Sequence, residues 1–583
     1  SEVSEYHGVK TEKFSLDNLI CSDCVPVCEM EHFKGKLIMT PNGETIIDFG
    51  QNLAGYVEFT LKAHEGDIIV LTHGETLDEH GNFTQENFQD RKRHKEGGTK
   101  QQVVYTCAEG ENHYKTKFSI WGFRYAKVET TIDISNAVFT AIAVYSRMEQ
   151  LTTFECGNAD VNRLVQNSIW SQKSNFCDVP TDCPTRERAA WTGDMGVFAH
   201  TGLYLMDVYP VMRKWLAECR VSQFDDGKIA NIAPRNNKPS FFSGLLAGSV
   251  GWGDACIIVP YEMYRRYGDE RILSENYEMM KKWYAFLEER AKKLPVNPLK
   301  RFKRNPYRRY TIETGIDYGE WCEPDVESPS AMRTPQGKVA TAFFAYSGRM
   351  LAEIAAILGK EDDAAYYSKT AEMAKKAWRF IATEDGKISS DRQADYVRAL
   401  AFGLLEKEEA RQVAANLNEL VKKCGYHLNT GFLSTPNLTR VLCDYGYKDT
   451  AYKLLLQDTR PGWLYEVKKG ATTIWETWDG INEKGEVKAS LNHYSYGAIC
   501  GWILDGVCGI QVSDGRIRIC PHPDKSLGYA KALYQSPYGR IVSGWKYDGD
   551  KVTYELEIPS NMLAEVILPD GRREVLDAGR YSL

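Results

Sequence analysis

Asn158-Ala159-Asp160-Val161-Asn162-Arg163-Leu164-Val165-Gln166-Asn167-Ser168-Ile169 is where the chain changes its period. Val161, Leu164, Val165 and Ile169 recur at helical spacing, and Asn158 is a residue type whose side-chain oxygen caps helix N-termini. Upstream the period is two, as in Tyr56-Val57-Glu58-Phe59-Thr60-Leu61 beside Gly55. Turn signals at Pro41-Asn42-Gly43 and Asp78-Glu79-His80-Gly81-Asn82 punctuate that part, so residues 1–150 predict a β-sandwich domain. Downstream, helical stripes follow one another: Val208, Val211, Met212, Trp215, Leu216 and Cys219; Leu273, Tyr277, Met280, Tyr284 and Leu287; Tyr366, Thr370, Met373, Ala377 and Phe380. No solenoid repeat is evident, so the helical hairpins of residues 151–504 are expected to close on each other as a barrel, with long loops at one end. From 505 to 583 the period returns to two, with Val552, Tyr554, Leu556 and Ile558 on one side of a strand, and a second β-sandwich domain is expected.

A chain of 583 residues exceeds what one core organises and predicts a multidomain α and β protein. Its 72 basic and 79 acidic residues leave a net charge of -7, which speaks against nucleic acid and anionic membrane as partners. No run approaches the roughly 18 apolar residues of a membrane span. The fifteen cysteines are odd in number and mostly scattered, which fits a reducing compartment. A cytoplasmic location is expected, or a periplasmic or secreted one if a signal peptide has been removed. Cys21, Cys24, Cys28 and His32 are ligand types that zinc uses, but their later spacings match no common zinc module, and no metal is expected. A homodimer is compatible with these features.

Between two helical patterns lies Asp182-Cys183-Pro184-Thr185-Arg186-Glu187-Arg188-Ala189-Ala190-Trp191-Thr192-Gly193-Asp194, with three carboxylates, two guanidiniums and an indole. So much charge must be solvated or converge on something polar, because unpaired buried charge is very costly. A second acid-bearing loop is Ala471-Thr472-Thr473-Ile474-Trp475-Glu476-Thr477-Trp478-Asp479-Gly480. A helical toroid can bring two such loops together across its mouth, and two carboxyls flanking a sugar are what glycosidic hydrolysis needs. No GxSxG elbow, P-loop or HExxH pair competes for a catalytic role.

These two loops, with Asp178-Val179-Pro180-Thr181 before the first and Asn492-His493-Tyr494 after the second, resemble glycoside hydrolase family 78, the α-L-rhamnosidases. Gly74-Glu75-Thr76-Leu77, Gly122-Phe123-Arg124-Tyr125, Trp252-Gly253-Asp254 and Thr430-Gly431-Phe432 extend the resemblance in family order. It implies an (α/α)6 barrel flanked by N-terminal and C-terminal β-sandwich domains. It also implies inverting, exo-acting removal of terminal α-L-rhamnose from a rhamnosylated small molecule, plant glycoside or oligosaccharide, without metal or organic cofactor. Glu187 matches the family's general acid and Glu476 its general base. Asp182, Arg186, Trp191 and Asp194 match residues that hold the rhamnose ring, and Trp252, Trp321 and His493 match aromatic and imidazole positions around it. Many relatives carry an additional acidic residue in the Arg186-Glu187-Arg188 stretch, and an Asp where Glu320 precedes Trp321. A related barrel glycosidase for another α-linked sugar, and a non-catalytic carbohydrate-binding protein, are the alternative readings.

Each of these residues also has a structural reading. Arg186, Arg188, Asp182 and Asp194 can serve as ion pairs that tie loops between helices, and large tryptophans are more often core than platform. Asp254 is counted with the sugar-binding residues, the alternative being a helix N-cap. Cys183 lacks an adjacent histidine and reads as a small buried residue rather than a nucleophile. Glu187, between two arginines, acquires an acid's pKa only if Asp182 and Asp194 counter them.

Overall fold

The computed structural model describes residues 10–17, 19–22, 24–88, 101–235, 246–295, 304–326 and 336–583. At the change of period, the Asn158 side chain accepts from Asp160 N and Val161 N and starts α1 (Ala159–Asn175), whose stripe of Val161, Leu164, Val165 and Ile169 is buried. There follow α2 (Thr192–Leu205), α3 (Tyr209–Ser222), α4 (Ala255–Tyr267), α5 (Glu270–Lys292) and α6 (Gly337–Ile357). Then come α7 (Glu361–Ala382), α8 (Gln393–Ala401), α9 (Lys407–Lys423), α10 (Thr435–Asp444), α11 (Lys448–Leu455) and α12 (Trp463–Lys468). A last helical run occupies residues 495–507.

The even-numbered helices from α2 to α10, with this last run, form an inner ring. Each touches the next in chain order, and the last run touches α2, which closes the barrel. Burial separates the two rings: α2 buries 11 of its 14 residues, as an interior helix does, whereas α9 buries one stripe of Ala410, Val413, Ala414, Leu417, Asn418 and Val421. On α7 the predicted stripe is offset. Tyr366 and Phe380 are exposed, while Tyr367 and Trp378 enter the core, because aromatics on both sides of the helix make its period ambiguous.

Each inner helix is entered from an outer one, so the six entering loops gather at a single mouth, at the N-termini of the inner helices. The two acid-bearing loops are the first and last of these. Beneath the mouth, the inner ring and the C-terminal domain enclose a cavity of about 900 Å3. Much of its charged lining is paired within itself: His200 bonds Glu262 at 2.9 Å and Asp505 at 2.8 Å, and Arg440 meets Asp505 at 2.7 Å. Neither acid-bearing loop lines it.

The N-terminal domain is organised by the strand Thr45–Ala63. Its first half pairs with Lys36–Met39 and Trp121–Thr130, its second with Gly110–Lys115 and Val138–Ser146. Between the halves the register shifts, with Gly50 in the left-handed region (φ +77°), and the sheet folds over a core that includes Phe49, Phe59, Phe123 and Phe139. The C-terminal domain combines a four-stranded and a five-stranded sheet. Two boundaries differ from the sequence reading. Thr152–Cys156, counted with the helices, is a strand paired to Tyr529–Ser536 of the C-terminal domain, five residues being too short for a period to assign. The helical run also continues to Val507, beyond the expected boundary at 504. Among the described residues no helix is long and apolar enough to cross a membrane.

Candidate active site

The loop Asp182–Asp194 closes on itself. Asp182 N–H donates to Ala189 O and Ala189 N–H to Asp182 Oδ1, both at 2.9 Å, so Arg186, Glu187 and Arg188 stand at a hairpin tip. The N-terminal domain holds this tip in place. Gln101 Nε2 donates to Thr185 O at 2.7 Å, and Arg188, left-handed at φ +51°, donates to Ile120 O at 3.0 Å. A side chain at Gly122 would bring its Cβ within 2.5 Å of Thr185 Cγ2, so glycine there permits the close approach of the two domains. On the other side Trp191, just before α2, donates from Nε1 to Glu187 Oε2 at 2.8 Å.

The second loop delivers Glu476 to the same mouth. Its N–H donates to Ser490 O and its Oε2 accepts from Ser490 N–H, each at 3.0 Å. Arg186 Nη1 reaches the same Oε2 at 3.1 Å, joining loops 290 positions apart in the chain. Of the expected ring-holding residues, Arg186 thus contacts Glu476 itself. Asp194, in the first turn of α2, meets His493 Nε2 at 3.0 Å and accepts from Ser495 Oγ at 3.3 Å. Cys183 is buried and donates to Asp182 Oδ2 at 2.9 Å, in keeping with a small interior residue.

Four carboxyls, those of Asp182, Glu187, Asp194 and Glu476, share this mouth. Glu187 is reached by solvent from one side but walled by protein on the others. Burial foremost, then the charge of Glu476, raise its pKa, against the Trp191 hydrogen bond and the charge of Arg186. Arg188 is turned away to Ile120, so only one of the two flanking guanidiniums opposes this rise. Asp182 is pushed up to about 8 by burial and then by the charge of Glu187. Burial works against a charged His493, but the hydrogen bond and charge of Asp194 carry it up to about 9. The result is a carboxyl biased toward its protonated form beside a carboxylate held by a guanidinium, an arrangement suited to concerted acid and base catalysis.

The aromatic residues divide. Trp191 and Trp321 are partly exposed, whereas Trp252 is only 3% exposed and lies under the first turn of α2, where a Cβ at Gly193 would strike its ring. Trp252 is therefore a floor, not a freely accessible platform. Asp254 is a correction to the sequence reading: it faces inward, fully buried. Its Oδ2 accepts from Gly251 N at 2.7 Å, and its Oδ1 from Trp283 Nε1 at 3.1 Å and Ser347 Oγ at 2.5 Å. It shapes the turn that carries Trp252, and its complete burial keeps it from a sugar hydroxyl. Glu320, before Trp321, is likewise internal, bonded to Arg398 and to Ser434 N at 2.7 Å.

Two residues without a site role in the sequence reading belong to this mouth. Tyr318 packs between Trp191, Trp252 and Trp321, with ring centroids 5.7, 4.7 and 5.3 Å away, and its hydroxyl accepts from Asn231 at 3.1 Å. Glu75, from the N-terminal domain, accepts from Leu491 N in the Glu476 loop at 3.2 Å. Gly74-Glu75-Thr76-Leu77 was a visible signal for Glu75, and the nearby Trp321 was the only one for Tyr318. Among the described residues no three His, Cys, Asp or Glu side chains converge as metal ligands.

Comparison with known proteins agrees with this architecture. Residues 149–507 match the family model for the bacterial alpha-L-rhamnosidase 6 hairpin glycosidase domain, 38–145 the concanavalin-like domain and 511–581 the C-terminal domain of the same proteins. An alpha-L-rhamnosidase of Formosa agariphila is 33% identical over 562 residues, covering 93% of this chain and 57% of that protein. The structure of Streptomyces avermitilis alpha-L-rhamnosidase complexed with L-rhamnose superposes with a TM-score of 0.84 at 29% identity, over 97% of this chain and 54% of that one. For the Aspergillus terreus enzyme the values are 0.88 and 28%, over 98% and 65%. The chain spans about half the length of the curated relatives it matches. With the hairpin domain alone matched over more than half of its residues and both flanking domains matched in order, the chain belongs to the bacterial α-L-rhamnosidases of glycoside hydrolase family 78.

Proposed function

We propose that this protein is an inverting, exo-acting α-L-rhamnosidase that removes terminal L-rhamnose from a glycan or plant glycoside. The reading rests on the unequal treatment of two carboxyls from separate hairpins. Glu187, bonded to the indole N–H of Trp191 and biased toward its protonated form, donates a proton to the glycosidic oxygen as the C–O bond breaks. Glu476, tied through Oε2 to Arg186 and Ser490 N–H, accepts a proton from the water that attacks the anomeric carbon from the opposite face. Asp182, Asp194, His493, Trp191 and Trp321 supply polar and apolar contacts to the sugar, over a floor of Trp252 and Tyr318. Family membership, and the rhamnose bound by the Streptomyces avermitilis relative, support rhamnose as the glycone.

The test is hydrolysis of an aryl α-L-rhamnoside against a panel of other aryl glycosides, with proton NMR of the earliest product. Release of β-L-rhamnose is expected. Release of the α-anomer would overturn inversion, and no release from any glycoside would leave a binding protein. Glu187→Gln and Glu476→Gln should each lower turnover of a natural glycoside by ~10²–10⁴-fold. A good leaving group should partly rescue Glu187→Gln and leave Glu476→Gln unaided.

A further inference from the structure

We propose that Glu75, a residue of the N-terminal β domain, is a positioning residue for the general base: it fixes the peptide unit that in turn holds Glu476. The peptide joining Ser490 to Leu491 is gripped at both ends. Its carbonyl oxygen accepts from Glu476 N–H at 3.0 Å, and its N–H donates to Glu75 Oε2 at 3.2 Å. In a trans peptide these two groups point in opposite directions, so the two bonds define the plane between them. The neighbouring Ser490 N–H donates to Glu476 Oε2 at 3.0 Å, so the carboxylate inherits that orientation.

Glu75 is itself held in a way that a purely packing role does not require. It is 3% exposed, and it accepts from Asn87 Nδ2 at 2.7 Å and Asn52 Nδ2 at 3.2 Å. Among the described residues, Asn52 Oδ1 and Asn87 Oδ1 are buried and find no hydrogen-bond partner. Two amides are thus committed to one carboxylate and leave their own acceptors unmet, which is unfavourable for the fold and the kind of cost tolerated at functional sites. An apolar contact between the domains would avoid both costs. The Arg186 guanidinium, which bonds Glu476, also lies within electrostatic reach of Glu75.

The inference rests on Glu476 being the general base, and the test separates the two. Wild type, Glu75→Gln, Glu476→Gln and the double variant are assayed on a nitrophenyl and on an alkyl α-L-rhamnoside. Glu75→Gln should lower kcat by about 10- to 100-fold, as small misplacements of reacting groups do, with little change in KM. The loss should be the same on both substrates, because water activation does not depend on the leaving group. The double variant should be no slower than Glu476→Gln alone, since two residues acting as one unit are not additive. Wild-type kcat in Glu75→Gln, or a loss that adds in full to that of Glu476→Gln, overturns the proposal while leaving the base assignment intact. An inactive wild type overturns both. If circular dichroism shows Glu75→Gln unfolded, Asn87→Ala keeps the carboxylate and removes its shortest bond; a smaller loss of kcat with the same non-additivity is expected, and wild-type kcat overturns the proposal.

Discussion

At the scale of single residues, the site is governed by which partner each charged group finds. Arg186 and Arg188 are two positions apart, yet one bonds Glu476 and the other a backbone carbonyl of the N-terminal domain. Glu187 is therefore opposed by one nearby guanidinium, and burial foremost, then the charge of Glu476, raise its pKa where the sequence neighbours alone predict a fall. The Trp191 N–H is a force in the other direction, because a hydrogen bond to the ionised carboxylate favours ionisation. Trp191→Phe removes that donor and keeps most of the ring. The basic limb of the kcat/KM profile should therefore move to higher pH, even as loss of a sugar contact raises KM. A basic limb that stays in place or moves to lower pH would show that Glu187 is not the group setting it.

Secondary-structure elements position these residues by where they begin. All six inner helical segments start at the mouth, so their partial positive ends face a region crowded with carboxyls. Asp194 lies in such a first turn and Trp191 immediately precedes it. The outer helices instead contribute length and stability. Asn158 caps α1 through two backbone N–H groups, and Asn158→Ala should destabilise the protein by about 1 kcal/mol. Denaturant unfolding checks the magnitude. Because α1 carries neither catalytic candidate, kcat in folded protein should be unchanged.

For the whole molecule, the feature that matters is closure of the ring. His493, just before the last helical run, and Asp194 in α2 form an ion pair across the seam where the final inner segment meets the first. The folded-state pKa of His493 is raised to about 9, above its ordinary 6.5, so its contribution to stability is complete below about 6.5 and is lost as pH rises through about 9. The apparent thermal midpoint at a fixed scan rate should fall across that window more steeply in wild type than in His493→Gln. Buried Asp182, raised to about 8, loses stability in the same direction, and because the charge of His493 lowers its pKa, the difference between the two curves reports His493 together with its effect on Asp182. Parallel curves would show that the pair does not hold the seam.

Much of this was readable along the chain because it is local. The change of period at Asn158 located the first helix, alternating runs located the flanking β domains, and two acid-bearing segments marked the loops that meet at the mouth. What the chain alone left open is everything decided by partners distant in sequence. Asp254 reads equally well as a sugar ligand or a helix N-cap until it is seen fully buried, with Gly251 N on one oxygen and Trp283 and Ser347 on the other. Tyr318 gains its place from Trp191 and Trp252 on other loops as well as from Trp321 three residues on, and its own residue type did not mark it. Thr152–Cys156 joins the last domain because its pairing partner is nearly four hundred positions away. Periodicity reports which face of an element is apolar, whereas pairing, burial and electrostatic field depend on what the closed ring brings against that face, and only the tertiary structure decides those.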